Sequence, residues 1–245
     1  MRIQVKLTIL LALIVLFITI IMLIYKSYNE DKFLQLFNDE KKNVETAFGR
    51  LIELKKQEVY RFVDNYTYWD DMVNFVTINQ NRSWAAENID TAITDFKVNS
   101  IWVYGIDGSP VYFVNNLNDN TLEKNLLPKE AITNLFKQNR FCYFYINTSK
   151  GIMEINGATI HPSVDSKRKT SPRGYFLVGR LLDNDYVSEL SRLIGGDANI
   201  TTNLNMTGTN DRNSQKNGVI SFSKILNNRD GFPLAAIKVM IELNM

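Results

Sequence analysis

The chain has 245 residues, of which 45% are apolar and 22% are charged, and its formal net charge is +2. Because so small a charge gives no basic field, we expect no nucleic-acid partner. The single cysteine, Cys142, and the single histidine, His161, exclude an internal disulfide and metal sites built from several cysteines or histidines. We therefore expect a protein that binds without catalysis, with no catalytic residues, no metal and no cofactor.

The first feature along the chain is an apolar run, LTILLALIVLFITIIMLIY, from Leu7 to Tyr25. At about 1.5 Å rise per residue a helix of this length spans roughly 28 Å, close to the hydrocarbon thickness of a bilayer. A cleaved signal peptide is the alternative, but its apolar region is shorter and ends in small residues. The sequence favours a transmembrane helix over residues 7–25.

The charges that flank this run predict its orientation. Arg2, Lys6 and the α-amino group precede it, whereas Lys26 is soon followed by two acidic residues. The positive-inside rule places residues 1–6 in the cytoplasm. We expect a single-pass protein of the cytoplasmic (inner) membrane whose remaining residues are extracellular or periplasmic.

Residues 26–65 carry the apolar period of a long helix, with only one glycine, Gly49, and no proline. The apolar positions are Phe33, Phe37, Val44, Phe48, Leu51, Val59 and Phe62. We interpret this segment as a stalk that continues from the membrane helix. It could pair with a second copy in a coiled-coil-like homodimer, or pack on its own domain, and both interpretations stay open.

Two helical segments and a hairpin follow. The predicted helices are Asp70–Ile78 and Ser83–Phe96, with Ser83 as an N-cap. The pattern then becomes β-like over Ser100–Ile106 and Ser109–Asn115, and the intervening Asp-Gly pair favours a two-residue turn.

The remaining chain mixes helices and strands. Helices are predicted over Leu127–Gln138 and Asp183–Ile194, and a polar loop over Asn205–Asn217. The predicted strands are Phe141–Ile146, Gly151–Ile160, Tyr175–Arg180, Ala198–Leu204, Val219–Ile225 and Leu234–Leu243. Residues 66–245 therefore predict one α+β domain, an antiparallel sheet with flanking helices.

Aromatic and polar residues concentrate in the first part of this domain and form our candidate ligand site. Its members are Tyr68, Trp69, Asp70, Trp84, Asn88, Trp102 and Tyr104. Such residues either fill a core or wall a pocket with a few polar groups that orient a small ligand. If Asp70 faces the pocket, a cationic or amine-bearing ligand would suit it.

A basic stretch lies between His161 and Arg180, where five cations face only Asp165. Lys167–Lys169 predicts a solvated turn. Arg173 and Arg180, at the two ends of a strand, could each pair with a buried acid or reach an anionic group of a ligand, and we include both in the candidate site.

An extracytoplasmic hydrolase is a further hypothesis. It would need Cys142 and His161 within hydrogen-bond reach of each other as a nucleophile and its base. Nothing in the spacing of the two residues supports this arrangement.

Several motifs together resemble the CHASE4 family. They are YWDD (Tyr68–Asp71), the W-x-x-E-N stretch of Trp84–Asn88, NSIWVYGIDGSPVY (Asn99–Tyr112) and GATIHPS…RKTSPRGYFLVGRLLD (Gly157–Asp183). The resemblance covers about residues 30–190. It implies an extracytoplasmic sensory domain with a PAS-like (Cache-like) fold, in which a long helix precedes an antiparallel sheet.

The resemblance also implies a role in signal transduction. Such domains typically lie in transmembrane receptors whose cytoplasmic output is a histidine kinase of a two-component system or a diguanylate cyclase or phosphodiesterase. We therefore expect a small-molecule sensor of unknown ligand that signals through the long helix. Because the sequence stops at Met245 without an output domain, we expect a fragment of a longer receptor. The alternative is a membrane-anchored protein-interaction module without a small ligand.

Overall fold

The computed structural model describes residues 3–117, 126–204 and 218–243; the predicted loop Asn205–Asn217 lies outside the described residues. Its first element, α1, is one uninterrupted helix from Ile3 to Tyr66. Within the described ranges this is the one helix long and apolar enough to cross a membrane. Side chains between Leu7 and Tyr25 are exposed, as a segment that contacts lipid requires.

Beyond the apolar segment, one face of α1 is buried against the chain's own domain. Phe37, Phe48 and Ile52 belong to one apolar core, and Val59 and Phe62 belong to another. Over these turns the helix therefore packs on its own domain, whereas pairing with a second copy stays a prediction.

In the described residues, five shorter α-helices and eight strands follow α1. The helices are α2 (Asp70–Thr77), α3 (Arg82–Ala85), α4 (Thr91–Asp95), α5 (Lys129–Leu135) and α6 (Asn184–Ile194). The strands are β1 (Ser100–Gly105), β2 (Pro110–Asn115), β3 (Phe141–Thr148), β4 (Gly151–Ile160), β5 (Gly174–Leu181), β6 (Asp197–Thr201), β7 (Val219–Asn227) and β8 (Pro233–Glu242).

The strands form two sheets, and all strand pairs within them are antiparallel. The larger sheet has the order β2-β1-β5-β4-β3 and the smaller one β6-β8-β7. The predicted fold class, an α+β PAS-like (Cache-like) domain with an antiparallel sheet and flanking helices, is confirmed. The sequence did not predict that the strands divide between two sheets.

Side chains alternate between the two faces of the larger sheet, as the period of a strand requires. Ile101 and Val103 point toward α1 and α2, in the core that holds Val59 and Phe62. Trp102 and Tyr104 point to the opposite face, into a separate core beneath α5. The larger sheet therefore separates two groups of buried aromatic residues.

The helix around Trp84 starts earlier than the sequence predicts. The predicted N-cap Ser83 is wrong, because Asn81 takes this position and its Oδ1 accepts hydrogen bonds from the backbone N–H groups of Ser83 and Trp84, at 2.9 and 3.3 Å. A π-helical turn over Ala86–Asp90 joins α3 to α4, so the predicted single helix is irregular at its centre.

The first hairpin also differs from its prediction. The backbone N–H of Gly105 donates to the carbonyl of Ser109 at 2.8 Å, which leaves three residues in the loop instead of two. Gly108 has a φ of +77°, in the region that glycine adopts without strain. The Asp-Gly signal marks the turn correctly, but the extra residue changes its type.

A charged cluster holds the C-terminal end of α1. Both Arg140 and Arg168 direct a guanidinium nitrogen at Oδ1 of Asp64, at 2.5 and 3.0 Å. Arg140 immediately precedes β3 and Arg168 lies in the loop after β4, so one carboxylate joins three segments. Arg168 also covers the ring of Tyr68 at 4.3 Å. This arginine is half-buried, so the predicted solvated turn Lys167–Lys169 is solvated only at its lysines.

We predict that Asp64→Ala lowers the free energy of unfolding by about 2 kcal/mol, because it leaves two half-buried guanidinium groups without their shared carboxylate. Urea denaturation of the full chain in detergent measures the change. Asp230→Ala, in an exposed turn where the carboxylate contacts its neighbour Arg229, is the control and should change stability by less than about 0.5 kcal/mol. Equal effects of the two substitutions would contradict the role of the cluster.

Candidate functional site

The sequence-predicted site residues Trp69 and Trp84 lie together on the helical side of the larger sheet. Their rings are 5.1 Å apart, and Phe75 lies 5.0 Å from Trp84. Both tryptophans pack against the core that contains Val59 and Phe62. Their apolar surface is therefore used to fill the core.

Tyr68 and Asp70 contact the loop that follows β4. The Tyr68 hydroxyl donates to the carbonyl of Ser163, and Asp70 accepts hydrogen bonds from the backbone N–H of Ser163, at 2.8 Å, and from its hydroxyl. These hydrogen bonds lower the pKa of Asp70. The carboxylate therefore holds the loop that follows β4. Asn88 likewise has a local partner, since its Nδ2 donates to the carbonyl of Trp84 at 2.8 Å.

Trp102 and Tyr104 lie on the opposite face of the larger sheet, separated from Trp69 and Trp84 by the sheet itself. Trp102 is fully buried, and Tyr104 is 1% exposed. The Tyr104 hydroxyl accepts a hydrogen bond from the backbone N–H of Leu126 at 3.2 Å, and burial raises its pKa to about 12.

The structure therefore does not bring the sequence-predicted site residues into one pocket. Arg173 is an exposed residue whose backbone N–H donates to the carbonyl of Ile160. Arg180, in contrast, lines a cleft. A ligand-binding role of all nine residues stays a prediction.

This cleft lies where α1, the segment after α4, the end of β5 and the start of α6 meet. Its volume is about 760 Å³, within the range of small-molecule sites. The lining residues are Lys55, Glu58, Ile93, Thr94, Asp95, Phe96, Lys97, Val98, Asn99, Asn116, Arg180, Leu181, Asp183, Asp185, Tyr186 and Glu189. Residues of α1, α4, β5 and α6 thus face one space.

Arg180 forms the floor of the cleft and is 6% exposed. Its guanidinium donates to Oε2 of Glu154 from Nε and Nη2, at 3.0 and 2.7 Å. Nη2 also donates to the backbone carbonyl of Lys55 in α1, at 3.0 Å. Burial opposes the positive charge, but Glu154, Tyr186 and Glu58 together outweigh this effect and raise the pKa of Arg180.

Glu154 explains why a buried arginine is stable here. The two residues are register partners on β4 and β5, and Glu154 is 1% exposed. Its other oxygen, Oε1, accepts a hydrogen bond from Asn156 at 3.0 Å. Of the two roles that the sequence left open for Arg180, pairing with a buried acid is the one the structure shows.

A second ion pair lies on the cleft wall, where Nζ of Lys55 is 2.7 Å from Oε1 of Glu189. The hydrogen bond from Lys55 lowers the pKa of Glu189, and the positive charge of Lys97 acts in the same direction. The ring of Tyr186 lies 5.2 Å from the guanidinium of Arg180. Burial is the main cause of the raised pKa of the Tyr186 hydroxyl.

Sequence reasoning missed Glu154, Lys55, Tyr186 and Glu189. Glu154 was detectable in principle, because it is the one charged residue in the apolar strand GIMEINGATI and lies opposite a candidate site residue. The other three carry no local signal, since their side chains meet only after α1 and α6 pack together.

The hydrolase hypothesis finds no support. Cys142 pairs with Gly157 across the strands, and His161 lies four residues farther along, about 13 Å at the rise of a strand. Burial raises the pKa of the Cys142 thiol to about 12, which disfavours the nucleophilic thiolate. No three His, Cys, Asp or Glu side chains of the described ranges converge on a position for a metal ion.

His161 is instead a buried side chain at the end of β4. Nε2 lies 2.9 Å from the hydroxyl of Thr159, and Nδ1 lies 3.5 Å from Oδ2 of Asp165. Burial lowers the pKa of His161, Arg140 and Arg168 act in the same direction, and Asp165 opposes them.

Two crystal structures of one periplasmic domain agree with this architecture. The crystal structure of the Vibrio Cholerae LuxQ periplasmic domain is similar at a TM-score of 0.53 and 9% identity, over 82% of this chain and 97% of that chain. A second structure of the same domain gives a TM-score of 0.51 at 9% identity, over 82% of this chain and 99% of that chain. The ligand-binding domain of the Pseudomonas aeruginosa PAO1 amino acid chemoreceptor PctC, in complex with GABA, gives a TM-score of 0.46 at 8% identity, over 80% and 96%. Curated protein sequences give no match.

The CHASE4 domain matches residues 51–201. This match defines an extracytoplasmic sensor domain, and the apolar segment of α1 indicates a membrane-anchored protein. The chain belongs to the CHASE4 family, as the sequence motifs predict.

We predict that Arg180→Met lowers the free energy of unfolding by about 3 kcal/mol, because it leaves the buried Glu154 carboxylate without its cation. Adding Glu154→Gln should restore more than half of the loss, since the amide keeps a partner for Asn156 without a buried charge. Arg173→Met is the exposed control and should have little effect. Chemical denaturation of the full chain in detergent measures all three, and failure of the double variant to recover would contradict the pairing.

We predict that protonation of His161 makes stability fall below pH 6.5. The folded-state pKa is lowered, so the unfolded chain binds the proton first as the pH falls. The stabilisation from neutral His161 is complete above the pKa of this histidine in the unfolded chain, near 6.5. Below that pH it is lost by at most about 1.4 kcal/mol per pH unit. Unfolding free energies at pH 7.5 and 5.5 should fall more for the natural chain than for His161→Gln. Parallel pH profiles would contradict this.

Proposed function

We propose that the protein is the sensor region of a transmembrane signalling receptor, and that its small-molecule ligand binds in the cleft beside α1. The observation that carries the proposal is the position of Lys55 and Glu58, which line the cleft and belong to the helix that continues into the apolar segment. A molecule bound there would contact the signalling element directly.

The contact between Arg180 and the backbone of α1 supports a route for the signal. Arg180 lines the cleft and donates to the carbonyl of Lys55. A ligand that favours one position of this guanidinium would favour one position of the helix, and its differential affinity for the two states sets the size of the response. In the complete receptor, the helix would relay the change to a histidine kinase or a cyclic-di-GMP enzyme, within a homodimer.

The orientation of the chain follows from the same proposal. The basic N-terminal flank supports a cytoplasmic location of residues 1–6. The apolar segment supports one membrane crossing over residues 7–25, with the sensory domain outside the inner membrane. The domain would then meet ligands in the periplasm or the extracellular medium.

A membrane-anchored protein-interaction module is the second candidate. It is favoured by the aromatic residues Trp69, Trp84 and Trp102, which fill cores instead of lining a cavity. On this alternative the cleft stays empty, and a partner protein supplies the signal.

We predict that a ligand screen separates the two candidates. Amino acids, amines, carboxylates and sugars are tested on the full chain in detergent by thermal shift, because a ligand that binds only the folded state raises the melting temperature. At least one compound should raise it. The same compound should not act on Thr94→Trp, in which an indole occupies the cleft wall.

Thr91→Trp is the matched control for this screen. It places the same indole on α4 at an exposed residue outside the cleft, so it should respond like the natural chain. Absence of a shift with every chemical class would overturn the small-molecule proposal in favour of the interaction module. A shift that persists in Thr94→Trp would move the ligand to another site.

A further inference from the structure

The single histidine of the chain, His161, is buried where the end of α1, β4 and the loop that follows β4 meet. Its backbone N–H donates to the carbonyl of Thr67, directly after α1, at 2.8 Å. Nε2 of its ring lies 2.9 Å from the hydroxyl of Thr159. Nδ1 has no hydrogen-bond partner among the described residues and lies 3.5 Å from Oδ2 of Asp165. The ring therefore has one nitrogen that is buried without a hydrogen bond and close to a carboxylate.

Charged and titratable groups surround this ring from each element packed against it. They are Asp64 of α1, Tyr68 from the segment after α1, Asp70 of α2, whose carboxylate binds the loop after β4, Arg140 before β3, and Asp165 and Arg168 of that loop. Asp165, Arg140 and Arg168 act on the charge of the ring directly. Asp64 binds both arginines. A proton on His161 therefore adds a positive charge beside two guanidinium groups that share one carboxylate.

Asp165 supplies a negative charge that does not titrate together with the histidine. Its Oδ2 accepts hydrogen bonds from the hydroxyl and the backbone N–H of Thr170, at 2.6 and 2.8 Å, and its Oδ1 accepts one from the backbone N–H of Lys169 at 3.0 Å. These hydrogen bonds, the one from the Thr170 hydroxyl above all, lower the pKa of Asp165 to about 2. Over the pH range in which a histidine titrates, Asp165 therefore stays ionised and the imidazole is the member of the pair whose charge changes.

Of the two arginines, Arg168 is held less firmly. Its φ is +47°, in the left-handed region that a residue with a β-carbon adopts only with strain. Its Nη2 lies 3.0 Å from Oδ1 of Asp64, whereas the corresponding distance for Arg140 is 2.5 Å. The backbone of Arg140 is also fixed to the sheet, because its carbonyl accepts a hydrogen bond from the N–H of Thr159 at 3.1 Å. A change of charge in the cluster therefore displaces Arg168 before Arg140.

We propose that this cluster is a proton-sensitive latch, in which protonation of His161 releases Arg168 from Asp64 and so loosens the end of α1. A positive imidazole attracts Asp165 and repels Arg168, and both forces act on the same turn, because Asp165 accepts the hydrogen bonds that close it. Release of Arg168 uncovers the ring of Tyr68 and leaves Asp64 with one arginine.

The latch gives the domain a second input, which is acid in the medium around it. The helix that it holds is the one that continues into the apolar segment, so protonation acts on the same element as a molecule in the cleft. The inference goes beyond the proposed function, since it needs no ligand.

The first measurement is the pKa of His161 in the folded protein. Because the chain has one histidine, isotope-labelled histidine gives a single imidazole signal in the NMR spectrum of the untagged full chain in detergent. We expect a titration midpoint below 6.5 and above about pH 4.5, the part of the acid range in which a histidine is useful as a switch. A midpoint outside this interval would overturn the latch.

The second measurement is the mobility of the loop. A nitroxide is attached to Ser166→Cys, an exposed position in the turn that carries Arg168, in a Cys142→Ala background. We expect its electron paramagnetic resonance lines to sharpen on acidification, with the same midpoint as the imidazole signal. A nitroxide on Lys150→Cys, in the exposed turn between β3 and β4, is the matched control and should keep its line shape.

Two variants connect the loop to the proton. In His161→Gln the Ser166→Cys label should lose its response to pH, and in Arg168→Gln it should be mobile at every pH. If His161→Gln does not fold, the agreement of the two midpoints in the chain with its histidine still tests the latch.

Three results contradict the inference. They are a loop that stays immobile while His161 titrates, a response that persists in His161→Gln, and equal sharpening at Lys150→Cys, which indicates loosening of the whole domain. Because no ligand enters these measurements, their failure leaves the proposed function of the cleft untouched.

Discussion

One helix organises the whole molecule, because both sheets need the same face of α1 to complete their cores. Phe37, Phe48 and Ile52 serve the three-stranded sheet region, and Val59 and Phe62 serve the five-stranded sheet. Neither sheet can bury these contacts without the helix. A displacement of α1 therefore disturbs two cores at once, which couples regions that share few direct contacts.

Polar contacts fix the helix along its length, where apolar packing alone would allow it to slide. Asp64 is held by two arginines from the larger sheet region, and the Lys55 carbonyl is held by Arg180. The buried Arg180–Glu154 pair adds little net stability, since desolvation offsets its attraction. The pair fixes geometry instead, because the planar guanidinium can donate to Glu154 and to the Lys55 carbonyl only in one arrangement of strand and helix.

The sequence is informative about elements and weak about sites, and the reason is physical. Period and composition predict α1, most strands and the helix that Gly195 ends with a φ of +70°, because these depend on neighbours in sequence. The role of Trp102 depends on which face of the sheet it occupies. The role of Asp70 depends on a loop that lies ninety-three residues away in the sequence. The cleft brings together Lys55, Phe96 and Tyr186 from distant segments of the chain. No local sequence pattern therefore predicts it.

The length of α1 sets the mechanics of any signal that starts at the cleft. Lys55 lies about 45 Å along the helix axis from Tyr25, at the usual rise per residue. Between them the turns from Phe37 to Ile52 are packed against the smaller sheet region, and this contact resists tilting of the helix. Translation along the axis would require the contacts of Asp64 and of the Lys55 carbonyl to rearrange. A change at the cleft therefore reaches the membrane end only if it alters these same contacts.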